Sequence, residues 1–140
     1  MYKKKVIGKK ELISIIDLDL FDLDAKVDTG ADSNALHCDH IEIDDDNMVH
    51  FHLLDEVHPS YHGRKIVMPL HEIRKVRSSN GELQQRPAIK IRVAFFGEEY
   101  ETIISLTNRA DMKYPMLIGR KFLSGKFLVD VSKEYIAQKK

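Results

Sequence analysis

Three observations predict an all-β domain with one short helix. Apolar and polar residues alternate and β-branched residues are abundant, while sustained apolar spacing of the helical kind is nearly absent. Turn formers punctuate the chain at DDDN (44–47) and at Asn80-Gly81, a strong hairpin signal. The stretch RKFLS (120–124) has the character of one or two helical turns and is stopped by Gly125.

Taken in order, residues 12–16 read as a strand, DLDLFDLD (17–24) as a polar turn region, and 25–27 as a strand running into Asp28. Residues 41–43 and 48–54 form a hairpin across the acidic turn. IRKVRSSNGELQQ (73–85) is a second hairpin, and 88–95 with 100–106 a third pair, joined by FGEE. TNRADMKYP (107–115) is loop, MLIG (116–119) a short apolar strand, and FLVDV (127–131) a last strand. No linker, low-complexity segment or fixed-period repeat interrupts this, and Pro totals only 4, so a single domain over 1–140 is expected.

A chain of 140 residues can bury a sizeable core but is short for an enzyme that must wall its own cleft on both sides, so a partner subunit is expected. Lys plus Arg and Asp plus Glu each number 22, and this balance gives no reason to expect nucleic acid as a partner. Cys38 stands alone, which excludes an internal disulfide framework and fits a reducing compartment. Aspartates break up ELISIIDLDLFDLD, and no apolar run approaches the roughly 18 residues of a membrane span, so a soluble cytoplasmic protein without a membrane partner is expected.

The segment AKVDTGADSN (25–34) carries the chemistry. Asp28 directly follows an apolar strand residue, and Thr29-Gly30 turns the chain sharply, with Gly letting the backbone approach its neighbours. Alone, Asp-Thr-Gly is also what an ordinary solvent-facing turn uses. The later MLIGR, an apolar strand leading through Gly119 to Arg120 at the start of a helical turn, changes the weighting.

Together the two motifs resemble the retroviral-type aspartic proteases, the retropepsins. VDTGADSNALH, KVRSSNG and LTNRADMKYPMLIGRKFLSGKFLVD, in that order, further resemble the bacterial RimB/RloA-type retropepsin-like endopeptidases, a family formerly labelled "ATP-dependent zinc protease". The likeness covers residues 6–131. It implies an acid-protease β-barrel with one short helix, working as a two-fold homodimer, because Asp-Thr-Gly occurs only once and two chains must meet to pair the carboxylates. Like charges about 3 Å apart cannot both ionise, so the dyad shares a proton: one carboxylate activates water while the other hydrogen-bonds the scissile carbonyl. The resemblance assigns catalysis to Asp28, Thr29 and Gly30, with Thr29 bonding across the dimer axis. It assigns support to Ala31, Asp32, Gly119 and Arg120, with Asp32 pairing with Arg120. Ala31 stands where many acid-working relatives carry serine, which implies an activity optimum nearer neutral pH.

Retropepsins close the cleft with a hairpin flap, and KVRSSNGEL holds that place, its tip at Ser78, Ser79, Asn80 and Gly81. Arg74, Lys75, Arg77 and Arg86 make its flanks basic, and Lys26 shares the parity of Asp28 on its strand. Lys26, Arg77, Arg86 and the flap tip are therefore the candidate substrate-binding residues, although any single one of these cations is as readily an ordinary solvated strand residue. Basic groups around a carboxylate dyad favour acidic substrate. RimB-type members trim glutamate tails added to a ribosomal protein by an ATP-grasp ligase, so an acidic or polyglutamylated peptide is implied. The alternative is a retropepsin-fold module that binds acidic peptide without cutting, or one that depends on a metal.

Metal and nucleotide motifs are weak. The seven histidines include His37, His40, His50 and His52, yet no H-E-x-x-H or C-x-x-C occurs, and His37-x-x-His40 is spaced for a helix where a strand is expected. Gly119-RKFLS-Gly125-Lys126-Phe127 departs from a P-loop in spacing and in having Phe where Ser or Thr should hold magnesium. No cofactor and no metal are expected.

Overall fold

The computed structural model describes residues 4–53, 65–77, 81–108 and 113–138. Strands dominate: β1 (Lys5–Ile7), β2 (Lys10–Ile15), β3 (Leu20–Val27), β4 (Asn34–Ile43), β5 (Met48–Leu53), β6 (Lys65–Pro69), β7 (Glu72–Arg77), β8 (Leu83–Phe95), β9 (Glu98–Thr107), β10 (Met116–Ile118) and β11 (Phe127–Val129). The α-helix among the described residues, α1 (Arg120–Leu123), lies between β10 and β11. Among the described residues the fold is therefore all-β with one short α-helix.

Six strands close a barrel in the order β10, β3, β2, β8, β9, β4, with β10 pairing β3 in parallel and β4 in antiparallel fashion to seal the ring. β5 and β6 extend β4 outward, β7 pairs with the first half of β8, and β1 with β11 form a separate parallel ribbon. The inward face is apolar and dense, with Ile13, Leu23, Leu36, Ile91, Ile104 and Ile118 each at most 2% exposed. Phe95, Phe122 and Phe127 pack edge-on or stacked at one end, fastening α1 and β11 to the barrel.

Several boundaries differ from the sequence reading. DLDLFDLD is turn only at its start: a 3-10 turn over Ile16–Leu18 ends at Asp19 in the left-handed region, and β3 begins at Leu20. The strand alternation is hidden there because Ile13 opposes Leu23 while Ile15 opposes Leu20, so β3 carries a bulge in which Asp22 has φ 53°. β8 is one long strand, merging the return arm of the second hairpin with residues 88–95. Pro87 sits where β8 changes partner from β7 to β9, a place that tolerates a missing N–H. β1 and β6 escape sequence reading because such short strands carry too little periodicity to register.

Candidate active site

β3 and β10 run side by side, Ala25 to Val27 against Met116 to Ile118, and deliver two chain segments to one end of the barrel. The Asp28 N–H continues this pairing by donating to the Ile118 carbonyl at 2.8 Å. The chain then turns at once, the Ala31 N–H donating to the Asp28 carbonyl and the Gly30 N–H to Asp28 Oδ1, both at 3.1 Å. The half-buried Asp28 side chain is thus aimed by its own turn. A Cβ on Gly30 would stand 3.3 Å from Asp28 Oδ1, so Gly there keeps the carboxylate uncrowded. Thr29 is exposed beside it.

Behind the turn, α1 clamps the loop. Backbone N–H groups of Arg120 and Lys121 donate to the carbonyls of Ala31 (2.9 Å) and Asp32 (3.1 Å). The Arg120 guanidinium pairs with the Asp32 carboxylate and donates through Nη1 to the Gly30 carbonyl at 3.0 Å. Asp32 and Arg120 are thus in direct contact, the arrangement in which a planar guanidinium fixes a helix to a loop.

Sequence reasoning missed the residue that joins these parts. Asn34, 2% exposed, accepts from the Gly119 N–H at 2.9 Å through its side-chain carbonyl and donates to Thr102 Oγ1 at 3.1 Å. Its backbone carbonyl accepts from the Ser105 hydroxyl at 3.1 Å. Nothing local in DSNAL marks Asn34 as more than a turn former; its partners come from residues far along the chain.

The basic groups do not gather as a single cluster. Directly opposed residues share a face of a β-ladder, so Arg74 and its register partner Arg86 lie on one face of the β7–β8 hairpin, and Lys75 and Arg77 on the other. Arg86 is 9% exposed, bonds Gln84 at 3.0 Å and lines a groove with Ile41, Leu106 and Thr107, so it is no open flank of the flap. Arg77 donates to the Gly81 carbonyl at 2.9 Å and so braces the hairpin. Gly81 has φ 87°, the left-handed region that favours glycine. Ser78, Ser79 and Asn80 lie outside the described residues. Lys26 is exposed on β3, opposite Lys10.

A groove of mixed charge that sequence reading did not assemble runs between loop, hairpin and helix, along the edge of β7 that β8 does not cover, so residues from both β7 faces border it: Glu72, Arg74 and Lys75, with Asp32 and Lys121 opposite. Arg74 is partly neutralised by Glu72 at 2.9 Å, leaving Lys75 and Lys121 as its less compensated charges. Lys121 had a faint signal in its place directly after Arg120, but only the tertiary path of α1 brings it to the hairpin.

Among solved structures, the fold is similar to a crystal structure of a Legionella pneumophila protein of unknown function, with TM-score 0.75 and 24% identity over 97% of this chain and all of that one. In sequence, the chain is 33% identical over 139 residues to a probable alpha-L-glutamate ligase of Shewanella halifaxensis, covering 94% of this chain and 30% of that protein. A protein of the same description from Parasynechococcus marenigrum is 34% identical over 137 residues, 93% of this chain and 28% of the relative. The chain thus spans less than a third of the length of these relatives. The model of one family, described as retropepsin-like aspartic endopeptidase RimB, matches residues 6–140. That match takes in the Asp28 turn, the β7–β8 hairpin and the β10–α1 clamp alike, and the chain belongs to the RimB-like family of retropepsin-like aspartic endopeptidases.

Proposed function

We propose that the chain is a homodimeric aspartic endopeptidase in which Asp28 of each protomer forms the catalytic dyad and acidic, glutamate-rich peptide is the substrate. The observation that carries this reading is the clamped turn at 28–32, whose carboxylate is aimed by the Gly30 N–H and whose far side is held by Arg120. A carboxylate kept this rigidly is preorganised for chemistry, and one chain supplies one such group. In the dimer one ionised Asp28 takes a proton from water, which attacks the peptide carbonyl carbon, while the protonated Asp28 of the other protomer donates to the carbonyl oxygen. Collapse of the tetrahedral intermediate breaks the C–N bond as the amine acquires a proton. Neither a metal nor a covalent enzyme intermediate takes part.

Support for a second copy comes from the β1–β11 ribbon. Val6 and Leu128 are register partners, 45% and 53% exposed, and Val131 nearby is 74% exposed. Such an apolar strip on a two-stranded ribbon is suited to being covered by its symmetry mate. Support for an acidic substrate comes from Lys75 and Lys121 in the groove and from Lys26 on β3. The relatives named as glutamate ligases share this domain as under a third of their length, which fits a unit that handles glutamate chains beside a separate synthetic unit.

That fusion also favours a second reading, a module that holds acidic tails without cutting them. Incubating wild type and Asp28→Asn with a glutamylated peptide, with and without chelator, separates the two. Cleavage lost on substitution and indifferent to chelator is expected; cleavage that survives Asp28→Asn, or binding without cleavage in the wild type, overturns the endopeptidase reading.

A further inference from the structure

A side-chain cluster on the outer face of β4 and β5 has no part in the proposed chemistry. Asp39 opposes His52 across the ladder, and the next pair in register is Glu42 with His50. Two residues, His40 and Ile41, therefore stand on β4 where only Phe51 stands on β5, which is a β-bulge. In a regular strand Asp39 and His40 point to opposite faces, and His40 would enter the core. The bulge puts His40 at φ 52° and turns its ring outward, 4.7 Å from the His52 ring, while Ile41 packs against the core instead. One carboxylate and two imidazoles are thereby brought to one place, their ligand atoms all within 4.8 Å of one another.

The polar atoms there are unusually placed. Asp39 Oδ1 and His52 Nδ1 are shielded from solvent and lack a hydrogen-bond partner among the described residues. They face each other at 3.9 Å, too far for a hydrogen bond, and His40 Nε2 stands 3.9 Å from the other Asp39 oxygen. A buried acceptor and a buried ring nitrogen, held apart at more than hydrogen-bond distance, is the spacing that an ion between them would use. By contrast the neighbouring His50 is satisfied, bonding Asp44 at 2.8 Å. Zinc takes His nitrogen and carboxylate oxygen at about 2.0–2.2 Å, so tetrahedral ligands sit roughly 3.3 Å apart. Small side-chain rotations of the exposed His40 and the partly exposed Asp39 and His52 cover the difference. Two imidazoles with a single carboxylate select a transition ion over calcium or magnesium. Lys65 opposes His52 from β6 and Glu42 opposes His50 from β4, so the fixed charges around the trio are mixed.

We propose that Asp39, His40 and His52 form a zinc site, with water as the fourth ligand, that pins the β4 bulge to β5. The site is independent of Asp28. The metal-stripped protein should take up one equivalent of zinc by calorimetric titration, and cobalt(II) bound there should show the visible band of a four- or five-coordinate ion. His52→Ala, Asp39→Asn and His40→Asn should each weaken binding at least tenfold and lose that band; the exposed His71→Ala and the active-site variant Asp28→Asn should leave both unchanged. Zinc should raise the melting temperature of wild type, His71→Ala and Asp28→Asn, and leave that of the three ligand variants unchanged. His40 is exposed and Asn tolerates its left-handed backbone, so His40→Asn decides the matter if His52→Ala proves unfolded. Absence of saturable binding, or binding of undiminished affinity in a folded His40→Asn, overturns the site. Because the readouts are metal binding and melting, these results stand apart from those for peptide cleavage.

Discussion

Gly119 passes so close to Ser33 that a Cβ at position 119 would lie 2.6 Å from the Ser33 carbonyl carbon and oxygen and 2.7 Å from its nitrogen. The chain leaving the candidate catalytic loop and the chain entering α1 are in backbone contact, and no side chain fits between them. Gly119→Ala must therefore push backbone against backbone. A loss of about 2–3 kcal/mol or more in urea denaturation is expected, as for overpacking at an unyielding site, together with loss of activity. Retained stability and activity would show that the loop can move aside.

The Asp32 and Arg120 side chains are each more than half exposed, so their ion pair alone contributes only about 0–1 kcal/mol. Arg120 also holds the Gly30 carbonyl, whereas among the described residues the Asp32 carboxylate pairs with Arg120 alone. Asp32→Ala is expected to cost under about 1 kcal/mol in stability and to reduce kcat moderately. Arg120→Ala should reduce kcat by a larger factor at a similar stability cost. Comparable kcat in both variants would place the importance in the ion pair instead of in the grip on the turn.

Charge reversal in the groove tests the substrate class. Lys75→Glu combined with Lys121→Glu should raise KM for an oligoglutamate substrate at least tenfold and leave a neutral peptide nearly unaffected, with the wild-type advantage shrinking as salt rises. Equal losses on acidic and neutral peptides would argue against a charge-reading groove.

Covering of the β1–β11 ribbon by a second copy predicts that Val6→Asp with Leu128→Asp yields a folded monomer in sedimentation velocity and abolishes cleavage, since one chain lacks a second carboxylate. A dimer that persists through both substitutions would place the interface elsewhere.

A serine at position 31 adds a hydroxyl beside the turn. Donating a hydrogen bond to the charged dyad favours the ionised form, so the acidic limb of the pH–rate profile should move to lower pH in Ala31→Ser. An unchanged or alkaline-shifted profile in the folded variant would count against this role for Ala31.

The strand content, the turn at Asn47 and the helix stopped by Gly125 were legible in the sequence because each is a local matter of alternation, turn chemistry or left-handed backbone. So were Asp28 with its Thr-Gly turn, and the pairing of early and late motifs from which the family resemblance was read. Tertiary structure decided how these pieces meet. Bulges in β3 and β4 shift side chains between faces, hiding part of a strand among the aspartates of DLDLFDLD and turning His40 outward toward His52. Register, which depends on pairing between distant segments, put Arg86 with Arg74 and away from Lys75 and Arg77. Closure of the barrel by β10 pressed Gly119 onto Ser33 and gave Asn34 its partners. Such contacts join residues dozens of positions apart, so local sequence pattern carries no trace of them.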